Sequence, residues 1–243
     1  MPLGNILIHT FNITVQKFTY LVGAYPVSAA ISSFTSAFFI DKFDRKKVLL
    51  LGYAGFLLGT FLCSISSSYY FMFLARIVAG LLGGITYSQI LAILADIIPF
   101  ERRGIALGRL TGANALASIL GVPLALYLAN QISWQVPFIA VVIIGVAIFP
   151  FLFRYLPNVK SHITSNTANT SYTNTIKKII GNNNTLLALL FSATIMLGHY
   201  LIIPFINPYL ELNNGFSKNL IPIVYFIGGI SSLWAGNYFG KQS

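Results

Sequence analysis

Arg76 is the only charged residue in the apolar run 64–95, which makes it the first candidate for a functional role. Inserting an isolated charge into hydrocarbon costs about 2.5–3.5 kcal/mol on translocon scales, so such a residue normally faces a partner or a cavity. The alternative is that Arg76 lies near the outer end of its helix and extends to water along its apolar stem. We favour the first interpretation, which predicts a functional guanidinium.

A second group of candidates is formed by the charges that flank the apolar runs, within residues 41–47 and 96–103. Asp41, Arg45 and Asp96 combine carboxylates near helix ends with a guanidinium, and such groups form ion pairs that a two-state motion can make and break. Alternatively, they are solvated charges whose pairing contributes at most about 1 kcal/mol. We favour a gating role, because Asp41 directly follows an apolar run.

Polar side chains inside the apolar runs are candidates for lining a ligand cavity, and they are Tyr87, Gln89, Asn114 and Ser118. A few polar groups orient the ligand in most mainly apolar sites. The same side chains could instead make interhelical hydrogen bonds, worth about 0.6 kcal/mol each. Histidine titrates near neutral pH, so His199 could act as a protonation switch, although a lone membrane histidine is more often a packing residue.

The sequence contains no arrangement of residues typical of an enzyme. Its five acidic residues all lie in loops or at the edges of apolar runs, and no glycine-rich phosphate loop precedes a Lys-Ser or Lys-Thr pair. The single cysteine, Cys63, provides neither a disulfide framework nor metal-ligand spacing. We therefore predict no catalytic residues, no metal and no cofactor.

The candidate residues lie within or between long apolar runs, and the structure of those runs determines where the candidates are placed. Charged residues make up only 8% of the chain, compared with about a quarter in soluble domains, and the mean hydropathy is +0.77. Crossing a hydrocarbon core of about 30 Å takes roughly 20 helical residues, and the runs are too long and too uniformly apolar for barrel strands. The sequence predicts an all-α membrane protein with about seven spans, at residues 18–40, 48–67, 70–95, 104–128, 135–156, 185–206 and 218–237.

Basic residues fall in alternate connections between these spans, which indicates that those connections face the cytoplasm. The opposite connections hold only Lys17 and Lys218, both at span edges. Despite a net charge of +10, no continuous basic face is present, so no nucleic-acid partner is predicted. Lys46 and Arg103 belong to the gating loops, although with Arg102 they also suit a plain orienting role. The cytoplasmic set is Lys42, Arg45, Lys46, Lys47, Arg102, Arg103, Arg154, Lys160, Lys177, Lys178 and Lys241.

Residues 37–47 resemble the signature loop between the second and third helices of the major facilitator superfamily. That signature places an aspartate four positions after a small residue, followed by a basic residue, any residue, glycine and two basic residues. Ala37 and Asp44 stand where the family has glycine, and alanine is still small enough for close helix packing. The corresponding residues here are Ala37, Asp41, Lys42, Phe43, Asp44, Arg45 and Lys46.

Further segments resemble the same family in the expected order. Arg76 and Gly80 match its Arg-x-x-x-Gly element in the fourth helix, and Gly121-Val122-Pro123 is similar to the fifth-helix element of antiporters. The signature loop recurs weakly at 233–241, as a parallel repeat of two six-helix halves would produce. The remaining matches are residues 96–104 after the fourth helix and 134–138 at the start of the sixth.

The resemblance implies the domain plan. Residues 1–156 would form the N-terminal bundle, comprising the end of helix 1 and helices 2–6. Residues 157–185, rich in Asn, Thr and Ser, would be a cytoplasmic linker, and residues 186–243 would begin the C-terminal bundle with helices 7 and 8. The chain is therefore interpreted as an interior piece of a larger transporter, without helix 1 and helices 9–12.

The resemblance also implies the function: secondary active transport of a small molecule by alternating access, with proton-coupled efflux of drugs, metabolites or sugars in the bacterial inner membrane. Arg76 and Gly80 would then act in coupling, and Gly112, Gly121 and Pro123 would allow close packing or a bend. Asp41, Arg45 and Asp96 would latch the two halves on the inner face. The alternatives are a truncated remnant that inserts without transporting and, less favoured, a membrane-embedded enzyme.

Overall fold

The computed structural model describes residues 3–36, 38, 43–156, 181–217 and 220–240. The regular secondary structure of these residues is helical, as their apolar runs predict. The elements are α1 (Gly4–Phe11), α2 (Val15–Ser36), α3 (Arg45–Ser64), α4 (Tyr69–Ile97), α5 (Phe100–Leu116), a π-helical turn (Ala117–Gly121), α6 (Val122–Gln131), α7 (Val136–Tyr155), α8 (Asn183–Leu212) and α9 (Ile221–Gly240).

A helix is present at each of the seven predicted span positions, and α5, the π turn and α6 together correspond to the span predicted at 104–128. Within the described residues, four helical stretches are long and apolar enough to cross a membrane by length and composition, and α2 is not among them. Its buried side chains include serines, which lower its hydropathy. The four stretches are Arg45–Ser64, Tyr69–Ile97, Arg102–Gln131 and Val136–Tyr155.

The helix ends follow local capping rather than the edges of the apolar runs. Asp44 caps α3 by accepting a hydrogen bond from the Lys46 backbone N–H at 3.0 Å, so α3 begins three residues before the predicted span. Asn182 caps α8 in the same way, which starts α8 inside the predicted linker. The helix α8 also continues past the predicted end at residue 206, as far as Leu212. Gly215, with φ of +62°, follows in a conformation that suits glycine.

The helix α4 packs against both α2 and α3, and small residues line both contacts. A Cβ atom at Gly84 would collide with backbone atoms of Ala29, and one at Gly59 would lie 2.6 Å from the Ala79 nitrogen. Ser33 Oγ donates a hydrogen bond to the Gly84 carbonyl oxygen at 2.9 Å, which joins α2 to α4. Such close backbone approach is how membrane helices gain packing energy without a hydrophobic driving force.

The larger apolar core lies at the end of the bundle that the charge pattern predicts to be outer. It joins α1, α2 and α4 to the segment before α7, through residues such as Leu7, Phe18, Met72 and Trp134. The Trp134 ring makes an edge-to-face contact with Phe11, with ring centroids 5.4 Å apart. The helix α3 also packs against α7, and α9 packs against α5, the π turn and α6.

Close packing at Gly112 and Gly121, which the resemblance implies, stays a prediction. A Cβ at either position would have no described neighbour within 4 Å. Residues 117–121 form a π turn, and Pro123 follows within the first turn of α6, whereas the bend itself stays a prediction. Proline has no backbone N–H to donate and its ring needs additional space. A π turn beside the proline accommodates both effects.

We expect alkaline phosphatase fused after Ser67, Asn130 or Asn214 to be active, and fusions after Lys47, Glu101 or Lys177 to be inactive. The reason is that the basic residues lie in the connections that contain Lys47, Glu101 and Lys177. By the positive-inside rule, such connections stay in the cytoplasm. β-Galactosidase fusions at the same positions should give the reverse pattern. An active phosphatase fusion at Lys177, or an inactive one at Asn130, would contradict this orientation.

Candidate functional site

The side chain of Arg76 crosses from α4 to α2 rather than running along its own helix. Arg76 lies seven residues after the start of α4, which is roughly 10 Å along the helix axis. Its Nε donates a 2.8 Å hydrogen bond to the Leu21 carbonyl oxygen, and its guanidinium lies 5.8 Å from the Tyr25 ring centroid. The side chain is partly buried, directly beneath the apolar core that contains Met72.

Among the described residues, no carboxylate lies within 4 Å of Arg76. Its charge is therefore stabilised by a backbone carbonyl dipole and an aromatic face, both weaker partners than a carboxylate. A cation held this way in a membrane bundle favours any negative charge that comes near it. This arrangement suits a group whose partner changes during a functional cycle.

Gly80 lies one helical turn after Arg76 and brings α4 into contact with α2. A Cβ at Gly80 would collide with the Tyr25 carbonyl and the Ser28 hydroxyl, so the two backbones could not approach as closely. Gly80 thus allows α2 and α4 to lie close together one turn away from Arg76. This close approach lets the guanidinium of Arg76 reach the Leu21 carbonyl oxygen. The structure brings Arg76 and Gly80 to one interface, and it leaves Gly112 and Gly121 on the separate helix formed by α5 and the π turn.

An ion pair joins α3 to α4 at the end of the bundle that the basic loops predict to be cytoplasmic. Arg45 Nε lies 2.9 Å from Asp96 Oδ2, with the two side chains 12% and 24% exposed. Both residues sit at helix ends, Arg45 at the start of α3 and Asp96 in the last turn of α4. Asp41, the third residue of the predicted network, lies outside the described residues.

Arg103 and Lys46 contact this same end of the bundle by different means. Arg103 donates from Nη2 to the Ala95 carbonyl oxygen at 2.6 Å and from Nε to the Ile98 carbonyl oxygen at 3.1 Å. These are otherwise unsatisfied carbonyls at the C-terminus of α4, where a positive charge also complements the helix dipole. Lys46 Nζ lies 5.4 Å from the centroid of the Phe153 ring on α7.

The polar cavity candidates do not converge on one site in the described residues. Gln89 is 2% exposed, whereas Tyr87, two residues earlier on α4, is 49% exposed. The Gln89 Oε1 atom has no hydrogen-bond partner among the described residues, so it is a buried acceptor available for pairing. Asn114 is exposed on α5. The side chains of Ser118 and His199 lie outside the described set.

Arg109 is a second cation within a candidate span, and the sequence reasoning above passed over it. It is exposed on α5, and among the described residues no carboxylate lies within 4 Å of it. The signal was available, because residue 109 falls inside the run predicted to cross the membrane at 104–128. An exposed intramembrane cation belongs with Arg76 as a functional candidate.

A bundle of apolar helices, with a partly buried arginine between two of them and an ion pair at one end, is typical of a multi-pass integral membrane protein. The profile of the Major Facilitator Superfamily matches residues 1–242, and the chain belongs to this family. The recognition made from the signature loop is therefore confirmed. The fold class is confirmed as well, as a partial bundle of this type. The members are transporters rather than enzymes.

Relatives and a solved structure agree with this assignment. The putative transporter AraJ of Escherichia coli (strain K12) is 20% identical over 98% of this chain and 59% of its own length. The probable sugar efflux transporter of Helicobacter pylori (strain P12) is 21% identical over 91% of this chain and 55% of its own length. The chain thus spans little more than half the length of these relatives.

The solved structure shares the fold at low identity. It is the crystal structure of a bacterial homologue of the human lysosomal transporter Spinster, in an inward-facing and unoccupied conformation. The similarity has a TM-score of 0.70 at 16% identity and covers 96% of this chain and 55% of that chain. The similarity shows the fold, and the division of the chain into helices of two bundles stays a prediction.

Proposed function

We propose that this chain forms part of a proton-coupled secondary transporter that exports small molecules by alternating access, in a bacterial inner membrane. The observation that carries the proposal is Arg76, a cation inside the bundle whose described partners are the Leu21 carbonyl and the Tyr25 ring. Such a cation stabilises a nearby carboxylate in its ionised form and so lowers the affinity of that carboxylate for a proton. The proton-binding carboxylate would come from a part of the protein outside the described residues.

The ion pair at the predicted cytoplasmic end supplies a second element of the proposed cycle. Arg45 and Asp96 are partly exposed, so their pairing is worth much less than that of a buried pair and can be broken during a conformational change. The apolar core at the opposite end joins α1, α2 and α4. An apolar contact at one end and a breakable ion pair at the other suit helices that shift against each other during alternating access.

Inside-out membrane vesicles with an acidic interior test proton coupling directly. Once respiration has established the pH gradient, substrate addition should release protons from vesicles that contain the protein, seen as recovery of acridine orange fluorescence. The probes are ethidium, for an aromatic cation substrate, and isopropyl thiogalactoside, for a sugar. Vesicles without the protein are the control. Uptake that is unaffected by collapse of the pH gradient would overturn proton coupling, while leaving transport intact.

The alternative of an inserting but non-transporting chain makes a different prediction for the same assay. Alternating access in this family uses two comparable bundles around a midplane site, and the sequence given spans little more than half of its relatives' length. The comparison is between these 243 residues and a chain of the relatives' full length, at equal amounts in the membrane. Saturable flux by the 243 residues alone would rule out this alternative.

A further inference from the structure

An apolar groove runs between α3 and α7 on the periphery of the bundle. Its volume is about 460 Å³, and its lining is apolar, including Ala54, Leu58 and Phe61 of α3 and Val146 and Pro150 of α7. Both helices are long and apolar enough to cross a membrane. The groove therefore lies at the depth of lipid acyl chains, and an apolar chain is the kind of group that can fill it.

The register between α3 and α7 follows from three contacts. Tyr53 Oη donates to the Gly145 carbonyl oxygen at 3.2 Å, and the Tyr53 ring stacks on Phe149 with centroids 6.3 Å apart. Lys46 Nζ lies 5.4 Å from the Phe153 ring centroid. As residue numbers fall along α3, those of its contacts rise along α7, so the helices are antiparallel. The first turn of α3 thus lies beside the last turn of α7.

Basic side chains mark the end of the groove where these two turns meet. Lys47 lies seven residues before Ala54, and Arg154 lies four residues after Pro150. Helical periodicity therefore continues the groove face to both residues, at roughly 10 Å and 6 Å along the helix axes. Lys46, held over the ring of Phe153, adds a third charge to this basic end.

Two described carboxylates at this end of the bundle already have other partners. Arg45 is paired with Asp96, and the carboxylate of Asp44 caps α3 through the Lys46 backbone N–H. Within the described residues, no carboxylate lies within 4 Å of the side-chain nitrogens of Lys46, Lys47 or Arg154. An apolar groove that leads to cations without a described carboxylate partner is complementary in charge and shape to a phospholipid with an anionic headgroup.

We propose that this groove and its basic end bind one anionic phospholipid, with an acyl chain between α3 and α7 and the phosphate against Lys46, Lys47 and Arg154. Basic pockets between membrane helices on the cytoplasmic side bind acidic headgroups, and each Lys or Arg near the headgroup contributes about fivefold in affinity. The site is separate from Arg76, and it does not depend on the proposed proton coupling.

Lipid titration of the purified protein tests the headgroup part of the site. Native mass spectrometry would measure binding of the first dioleoylphosphatidylglycerol, with dioleoylphosphatidylcholine as the reference of the same chain length. The expected result is an affinity at least about tenfold higher for phosphatidylglycerol, lost when Lys46→Gln, Lys47→Gln and Arg154→Gln are combined. Combining Arg102→Gln, Lys177→Gln and Lys178→Gln removes the same charge at other positions of the sequence and should leave the preference intact.

A steric variant tests the groove itself. Ala54→Phe should fill it and weaken binding of both lipids at least about fivefold, whereas Ala147→Phe, at an exposed position of α7 outside the groove lining, should not. Unchanged helical circular dichroism and a single elution peak would show that the variants fold. Equal affinity for the two lipids, or equal effects of the two triple variants, would overturn the proposal. So would lipid-independent dimers that Ala54→Phe dissociates, because the groove would then hold a second copy.

Discussion

Replacing Arg76 with alanine is expected to lower transport by roughly a hundredfold or more while the protein still inserts normally. The substitution removes a charge whose insertion costs about 2.5–3.5 kcal/mol, so poor insertion cannot explain lost activity. It also removes the hydrogen bond from Arg76 Nε to the Leu21 carbonyl oxygen, which links α4 to α2. Initial efflux rates in inside-out vesicles, normalised to the amount of protein in the membrane, measure the effect.

Two further substitutions separate the contributions of Arg76. Arg76→Lys keeps the charge but lacks the Nε–H that reaches Leu21, so partial activity would assign the main role to charge. Arg102→Ala is the matched control, because it removes an exposed arginine from the start of α5. Normal gradients with Arg76→Ala at equal protein levels would contradict a coupling role and would make Arg76 a packing residue of the α2–α4 interface.

Reversing either charge of the Arg45–Asp96 pair is expected to reduce transport at least about tenfold, because the attraction between the two side chains is then replaced by repulsion between like charges. Combining Arg45→Asp with Asp96→Arg should recover a substantial part of the activity, since the pair is re-formed with its ends exchanged. Efflux rates of the two single variants and the double variant, analysed as a double-mutant cycle, measure the coupling between the sites.

The control for this series is Arg102→Asp, a charge reversal at an exposed position on the same predicted side. It should leave transport nearly unchanged, because a solvated charge contributes little. Additive losses in the Arg45 and Asp96 variants, without recovery in the double variant, would contradict a direct role for the ion pair. The two residues would then act through separate contacts.

The sequence was sufficient to predict which residues form helices and in what order. A chain in hydrocarbon must satisfy its own backbone hydrogen bonds, so each apolar run of about 20 residues has helix as its main solution. Local chemistry would also have predicted where α3 begins, because Asp44 is a favourable N-cap. The signature loop identified the family, since its motifs recur in the right order along the chain.

The sequence was less able to predict the roles of residues that depend on which helices face each other. The sequence singled out Arg76 as a buried cation, but its partner is the Leu21 backbone carbonyl, which has no side-chain signature. The sequence likewise treated Gly80 and Gly112 as similar candidates. In the structure a Cβ at Gly80 collides with α2, whereas one at Gly112 has no described neighbour within 4 Å.

The apolar runs and basic loops therefore determined, by themselves, the helices, their order and a predicted orientation, because these depend on local composition and on the thickness of the bilayer. Only the tertiary structure decided which faces of those helices meet. The Arg76–Leu21 and Arg45–Asp96 contacts each join residues about fifty positions apart, and they depend on how α4 is rotated against its neighbours. Rotation is set by packing of small residues over the whole interface, which no single segment of sequence encodes.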